Sequence, residues 1–157
     1  QAMAVSIASM RALEKQVKVL DKAIEQQFEI IPNTLTSIPG IGKVYSAGII
    51  AEIGDFSRFD SPDKILAYAG MSPSIYQSGQ LDNCYAHMEK RGSRYLRYAL
   101  YNAAKYVCHW DPTFTAYLAK KRAEGKHYNV AISHAVKKLI RVIYHLEKTN
   151  QQYIKAS

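Results

Sequence analysis

Two stretches of this chain carry residue types suited to phosphate chemistry. The first is Gly70-Met71-Ser72-Pro73-Ser74-Ile75-Tyr76-Gln77-Ser78-Gly79, a loop framed by glycine and proline that holds three serines. The second is Lys90-Arg91-Gly92-Ser93-Arg94-Tyr95-Leu96-Arg97, whose four cations cluster where a helix opens. Glycine admits backbone shapes that other residues avoid, so small hydroxyl residues on such a loop can lie close to a phosphate. Arginine and lysine beside them can hold the phosphate oxygens. The chemistry suggests a phosphodiester-handling site. An ordinary capped helix pair with a solvated basic face accounts for the same residues as well.

Ser72, Ser74 and Ser78 compete as nucleophiles. A free serine hydroxyl attacks poorly near neutral pH and needs activation. Ser78 precedes a glycine, which leaves its hydroxyl uncrowded, whereas a turn serine that merely caps the backbone is the plain alternative at each position. Lys90, Arg91, Arg94 and Arg97 are candidates for binding the scissile or neighbouring phosphates. Arg97 can instead pair with a local carboxylate. Lys120, Lys121 and Arg122 read as a solvated face, with nucleic-acid backbone contact as the lesser alternative. A tyrosine-recombinase reading of Tyr76 or Tyr85 would need an Arg/His/Arg constellation that the chain does not lay out, so Tyr76 is expected to pack or stack. Cys84, His87, Cys108 and His109 match no standard zinc spacing. Metal-assisted phosphodiester exchange needs clustered carboxylates. Glu52, Asp55, Asp60, Asp63 and Asp82 show no such cluster, and no metal site is expected in these residues.

The elements that must position these groups read as helices. Residues 4–31 carry Met10, Leu13, Val17, Leu20 and Ile24 at alternating steps of three and four, a coiled-coil-like seam. Pro32 closes that helix. Residues 35–50 read as helix, tight hairpin, helix around Pro39-Gly40-Ile41-Gly42, a turn that resembles the helix-hairpin-helix motif of DNA-binding proteins. Gly40 and Gly42 bare the backbone, the N–H groups opening the second helix favour a phosphate, and Lys43 adds charge there. An ordinary helical hairpin is the alternative. Ser61-Pro62-Asp63 starts a helix that ends at Gly70. Residues 71–90 lack periodicity. A helix from about Ser93 to His109 buries Leu96, Leu100, Ala103, Ala104 and Val107. Asp111-Pro112 starts a shorter one, stopped near Gly125. The last helix, residues 128–148, is expected to bury Val130, Ala131, His134 or Ala135, Leu139, Val142 or Ile143, and Leu146, with Lys137, Lys138 and Arg141 as its basic face. The fold class is all-α: a long coiled-coil-like helix over residues 1–31, then a helix-hairpin-helix-containing domain over residues 32–157.

Composition agrees with that class. The 157 residues are 48% hydrophobic and 22% charged, with two cysteines and no run long enough to span a bilayer. A reducing cytoplasm is the simplest compartment. The net charge of +8 is uneven: residues 1–87 hold 7 Lys/Arg against 9 Asp/Glu, and residues 88–157 hold 14 against 4. A basic half with interleaved tyrosines points to a polyanion partner, most simply nucleic acid.

The ordered blocks resemble the C-terminal domain of the DEDD-type insertion-sequence transposases, a family that includes the pilin-gene invertases. The family pattern is an apolar helix, then G-[LM]-x-P-x-x-x-x-S-G, then K-[RQ]-G-[NS]-x-x-L-R. It is met by Gly70-Met71-Ser72-Pro73 to Ser78-Gly79 and by residues 90–97. A later block is met by Gly125-Lys126-His127-Tyr128-Asn129-Val130-Ala131 and Lys138-Leu139. The resemblance covers roughly residues 35–153, and several ordered blocks are far more specific than one short motif. It implies Ser78 as nucleophile, with Ser74 and Ser72 as alternates, and supports Lys90, Arg91 and Arg97 as phosphate ligands. The family's four acidic residues lie in a separate N-terminal RuvC-like domain, so Mg²⁺ is expected there and no cofactor in this fragment. The implied protein is a DNA transposase or site-specific recombinase of the bacterial cytoplasm and nucleoid. The residues given hold no acidic metal site, so the isolated fragment is expected to be inactive. It would self-associate as a dimer or tetramer through the N-terminal helix, and some members of the family use a guide RNA. The rivals are a non-catalytic helix-hairpin-helix DNA-binding module and a coiled-coil assembly domain without nucleic-acid contact.

Overall fold

The computed structural model describes residues 2–72 and 88–155. Among them are six α-helices and no β-strand, and no helix is long and apolar enough to cross a membrane. The chain divides into two compact units, residues 1–32 and 33–157.

The first unit is α1 (Ala2–Phe28). No glycine or proline interrupts it, and its apolar side chains recur at helical spacing. Met10, Leu13, Val17, Leu20 and Ile24 are all exposed. The helix stops short of Ile31. Ile31 N–H turns back to the Phe28 carbonyl at 3.0 Å, because Pro32 biases the residue before it away from the α conformation.

The second unit holds α2 (Lys43–Ile53), α3 (Pro62–Tyr68), α4 (Arg94–Trp110), α5 (Pro112–Ala123) and α6 (Tyr128–Thr149). Local chemistry sets most of their ends. Pro62 opens α3 at its first position, with Asp63 in the first turn, where the helix dipole favours an acid. Ser93 caps α4 by accepting from Leu96 N–H at 3.0 Å, and Asp111 caps α5 by accepting from Phe114 N–H at 3.0 Å. Before α2 the chain makes only one 3₁₀ turn, Leu35–Ser37, where the sequence suggested a helix. Ile38 is extended (φ −78°, ψ 122°) because Pro39 follows it, so the turn cannot lengthen.

Helix α4 lies at the centre, packed on α2, α5 and α6, while α6 also meets α3. The α4 face buried is the expected one: Leu96, Leu100, Ala103, Ala104 and Val107. The α6 face differs. Val130 is exposed and Val142 half-buried, while Ile132, Val136 and Ile140 are buried together with Ala131, Ala135, Leu139, Ile143 and Leu146. Neighbours on more than one side widen the buried arc beyond the narrow stripe that a surface helix shows.

The segment after α6 returns over the hairpin. Tyr153 N–H donates to Ser37 Oγ at 2.8 Å, and its hydroxyl donates to Asp111 Oδ2 at 2.9 Å. Thr34 donates from N–H and hydroxyl to Glu147 Oε1 at 2.8 and 2.6 Å. The buried Asp111 carboxylate therefore has two donors, which removes the penalty of an unsatisfied buried acid.

Candidate nucleic-acid interface

The two motif stretches meet through their backbones. Gly70 (φ +66°) ends α3, and a Cβ there would sit 2.6 Å from the Arg91 carbonyl oxygen and 2.8 Å from an Arg97 guanidinium nitrogen. Gly92 (φ +134°) faces it, and a Cβ there would lie 2.2 Å from the Tyr68 carbonyl oxygen. Only glycine permits these conformations together with so close an approach. Ser93 N–H donates to the Tyr68 carbonyl at 2.8 Å. Arg97 donates to the Ala69 carbonyl at 2.8 Å and the Lys90 carbonyl at 3.4 Å. The guanidinium thus joins the end of α3 to the segment that starts α4. The sequence suggested a carboxylate partner for Arg97; its partners are backbone carbonyls, because the last carbonyls of a helix lack intrahelical donors.

Glu89 N–H donates to the Ser72 carbonyl at 3.1 Å beside this interlock, so residues 72 and 89 lie together. Ser72 is half-buried there. Ser74 and Ser78 lie outside the described residues, as do Tyr76, Asp82, Cys84, Tyr85 and His87. Lys90, Arg91 and Arg94 are exposed beside residues 72 and 89, and the Arg94 guanidinium sits 4.8 Å from the centre of the Tyr95 ring. Below them Ser93 donates its hydroxyl proton to Glu52 Oε2 of α2 at 2.5 Å while accepting from Leu96 N–H. Sequence reading overlooked Glu52 and Gly92 as positioning residues. The only signal was a glycine just before a helix-capping serine.

At the hairpin the two glycines divide the work. Gly40 (φ +91°) lies against α4, where a Cβ would meet the Tyr106 carbonyl carbon at 2.7 Å. Gly42 has open space around its Cα, adopts the extended N-cap conformation (φ −81°, ψ 170°) and begins α2 without a side-chain cap. Lys43 is exposed next to it. The positive dipole end of α2 therefore begins at exposed positions, Gly42 and Lys43, an arrangement that suits an anion.

A third cationic surface lies on α6. Lys137, Lys138, Arg141, His134, His145 and Tyr117 help line an open groove of about 630 Å³. Lys137 and Arg141 share Asp63 of α3, each at 3.8 Å. Lys138 Nζ stands 4.9 Å from the Phe114 ring centre and 5.0 Å from that of Tyr117. Burial, reinforced by Lys126 and Lys121, holds the His134 pKa below its usual value. Long, exposed ion pairs of this kind contribute little stability and exchange readily for other anions.

Among the described residues no three His, Cys, Asp or Glu side chains converge as metal ligands. Glu52 is engaged by Ser93, Asp63 by two cations and Asp111 by Tyr153. These carboxylates do not fit a Mg²⁺ site. Cys108 is buried, and burial pushes its thiol up to about 11, which suits a core residue rather than a nucleophile.

Comparison with known proteins gives the family of the chain. The family pattern described as Transposase IS116/IS110/IS902 matches residues 33–119. The chain is 28% identical over 139 residues to the insertion element IS110 uncharacterized 43.6 kDa protein of Streptomyces coelicolor, covering 87% of this chain and 34% of that protein. It is 28% identical over 154 residues to the pilin gene-inverting protein of Moraxella bovis, covering 94% and 48%. It is 27% identical over 145 residues to the insertion element IS900 uncharacterized 42 kDa protein of Mycobacterium paratuberculosis, covering 90% and 36%. The chain thus spans between a third and a half of the length of these relatives.

Proposed function

This chain belongs to the IS116/IS110/IS902 transposase family, and we propose that it is the part of a DNA transposase or site-specific recombinase that grips DNA and supplies the serine nucleophile for strand exchange. The observation that carries the reading is the interlock of Gly70 with Gly92. It holds Lys90, Arg91 and Arg94 close to Ser72, from which the sequence continues to Ser74 and Ser78.

Ser78 is the proposed nucleophile, with Ser74 and Ser72 as alternates. Its hydroxyl oxygen bonds to phosphorus as the bond from phosphorus to a deoxyribose oxygen breaks, leaving a phosphoserine link. The serine proton leaves to a base, and the released deoxyribose oxygen takes up a proton. Lys90, Arg91 and Arg94 offset the negative charge that grows on the phosphoryl oxygens during attack. Arg97 contributes chiefly by holding residues 90–93 against α3. Any Mg²⁺ that serves the reaction is held outside the described residues. Gly40, Gly42 and Lys43 would hold a flanking phosphate without reading base sequence. A guide RNA is a further candidate partner, α1 is the proposed surface for dimer or tetramer formation, and the bacterial cytoplasm and nucleoid are the proposed setting. The isolated fragment is proposed to be inactive because it does not supply the acidic site.

The test is alanine substitution at each loop serine in the full-length protein. Ser78→Ala should abolish strand transfer and leave DNA binding nearly intact, since one hydroxyl is removed and the covalent path goes with it. Arg91→Ala should weaken binding and rate together. A dead Ser74→Ala beside an active Ser78→Ala would reassign the nucleophile. Activity in all three serine variants would favour a second reading, a non-catalytic DNA-binding module, which the exposed start of α2 at Gly42 and Lys43 also suits.

A further inference from the structure

The outer face of α4 carries a row of exposed aromatic side chains. Tyr95, Tyr98, Asn102, Tyr106, His109 and Trp110 follow one another at helical steps. At 3.6 residues per turn they fall on a single stripe roughly 120° wide. Four large rings stand out of it: Tyr95 is 61% exposed, Tyr98 66%, Tyr106 48% and Trp110 59%. A row of large exposed aromatics on one helix marks a binding surface more often than a chance of packing. The residues that α4 buries, such as Leu96, Leu100 and Val107, lie on a different face.

The charge on α4 itself is of one sign. The 17 residues of α4 include no Asp or Glu, while Arg94 and Lys105 border the aromatic row. The stripe also joins two features already described. Its N-terminal end adjoins Lys90 and Arg91. Toward its C-terminal half, Gly40 packs on the Tyr106 backbone and the Tyr45 ring lies 5.8 Å from the Tyr106 ring, which puts the hairpin turn beside the stripe. Helix α4 rises about 25 Å between its ends.

We propose that this stripe is a stacking platform for an unpaired nucleic-acid strand laid along α4 from Lys90 and Arg91 to the Pro39–Gly42 turn. Every base has a π-face, so a row of tyrosines and a tryptophan receives bases without regard to sequence, while flanking cations follow the phosphates. Four rings accommodate on the order of four bases. A second copy of the chain is a poorer occupant. Twofold pairing sets a patch against itself, which would bring the cations of α4 toward those of the other copy with no acid on the helix to offset them. The inference rests on the nucleic-acid-binding reading above and adds the strand state and the residues that receive it.

Trp110 is the only tryptophan, so its fluorescence reports on its own ring. The chain is titrated with oligothymidylate, with oligouridylate and with a DNA duplex of equal length, at low and at moderate salt. Both single strands should quench Trp110, and the duplex should quench it less. Tyr98→Ala and Tyr95→Ala, each at an exposed position, should melt like the parent. Each should weaken single-strand binding roughly tenfold, and Tyr98→Ala should leave duplex binding nearly unchanged. Tighter oligothymidylate binding assigns the platform to a DNA strand, and tighter oligouridylate binding to RNA. Single strands that bind without quenching and with parental affinity in both variants would overturn the proposal; retained duplex binding would then leave the transposase reading intact. If no nucleic acid binds at low salt, both fall. A change of solution mass in Tyr98→Ala with unchanged binding would make the stripe an interface between copies and overturn the proposal.

Discussion

Replacing Gly92 with alanine should destabilise the second unit and disable recombination without touching any proposed nucleophile. The new Cβ would lie 2.2 Å from the Tyr68 carbonyl oxygen and 2.9 Å from the Gly70 nitrogen. Both neighbours are backbone, so neither can swing aside as a side chain would. The φ of +134° adds conformational strain, about 1–3 kcal/mol for a residue in so sparsely populated a region. Relief requires residues 90–93 to back away from α3, which loses the Ser93 N–H bond to the Tyr68 carbonyl at 2.8 Å, worth about 0.5–1.5 kcal/mol net. The sum is roughly 2–4 kcal/mol. A domain of this size has about 5–15 kcal/mol in hand, so the variant should still fold. Circular dichroism of the isolated chain should show a melting temperature lower by roughly 5–15 °C. In the full-length protein, strand transfer should fall because residues 90–93 have moved. Arg97→Ala disturbs the same junction, so the double variant should be less destabilised than the two single effects added together. A Gly92→Ala chain that melts with the parent, or strict additivity with Arg97→Ala, would refute the interlock as the element that holds residues 90–93 against α3.

Gly48→Ala should raise stability by up to about 1 kcal/mol in urea unfolding, because the new methyl lies inside α2 and meets only the Ala99 Cβ at 3.8 Å. In a Cys84→Ser background, Cys108 should resist thiol reagents at neutral and mildly alkaline pH, since burial holds its pKa at about 11, and should label fully once the chain is unfolded. Because the thiol's folded pKa lies above its usual value, the stability it contributes is full below that usual value and falls as pH rises toward the folded one. The melting temperature should therefore decline on the alkaline side, and less steeply in Cys108→Ala. Replacing Val17 and Leu20 with Glu should lower the solution mass of an oligomeric parent, as unpaired charges cannot be buried in the α1 seam; an unchanged mass would remove α1 as the contact.

Helix starts and stops were legible in the sequence because they depend on chemistry within a few residues. Pro62 with Asp63 began α3, Asp111 with Pro112 began α5, and Gly54 ended α2. The buried face of α4 was legible for the same reason, as its period follows from the helix itself. The family was legible because its motif blocks are ordered along the chain. Other features required the tertiary structure. The buried face of α6 widened onto Ile132, Val136 and Ile140 because other helices press on it from several sides. The first half of the hairpin shrank to one 3₁₀ turn, with an extended Ile38 ahead of Pro39. Arg97 found the Ala69 and Lys90 carbonyls rather than a carboxylate, and Gly70 met Gly92 across more than twenty residues of chain. Side-chain type marks which residues can donate a hydrogen bond or allow close approach. Every residue carries a backbone carbonyl, so no pattern of side chains marks which one will be met; packing alone decides that.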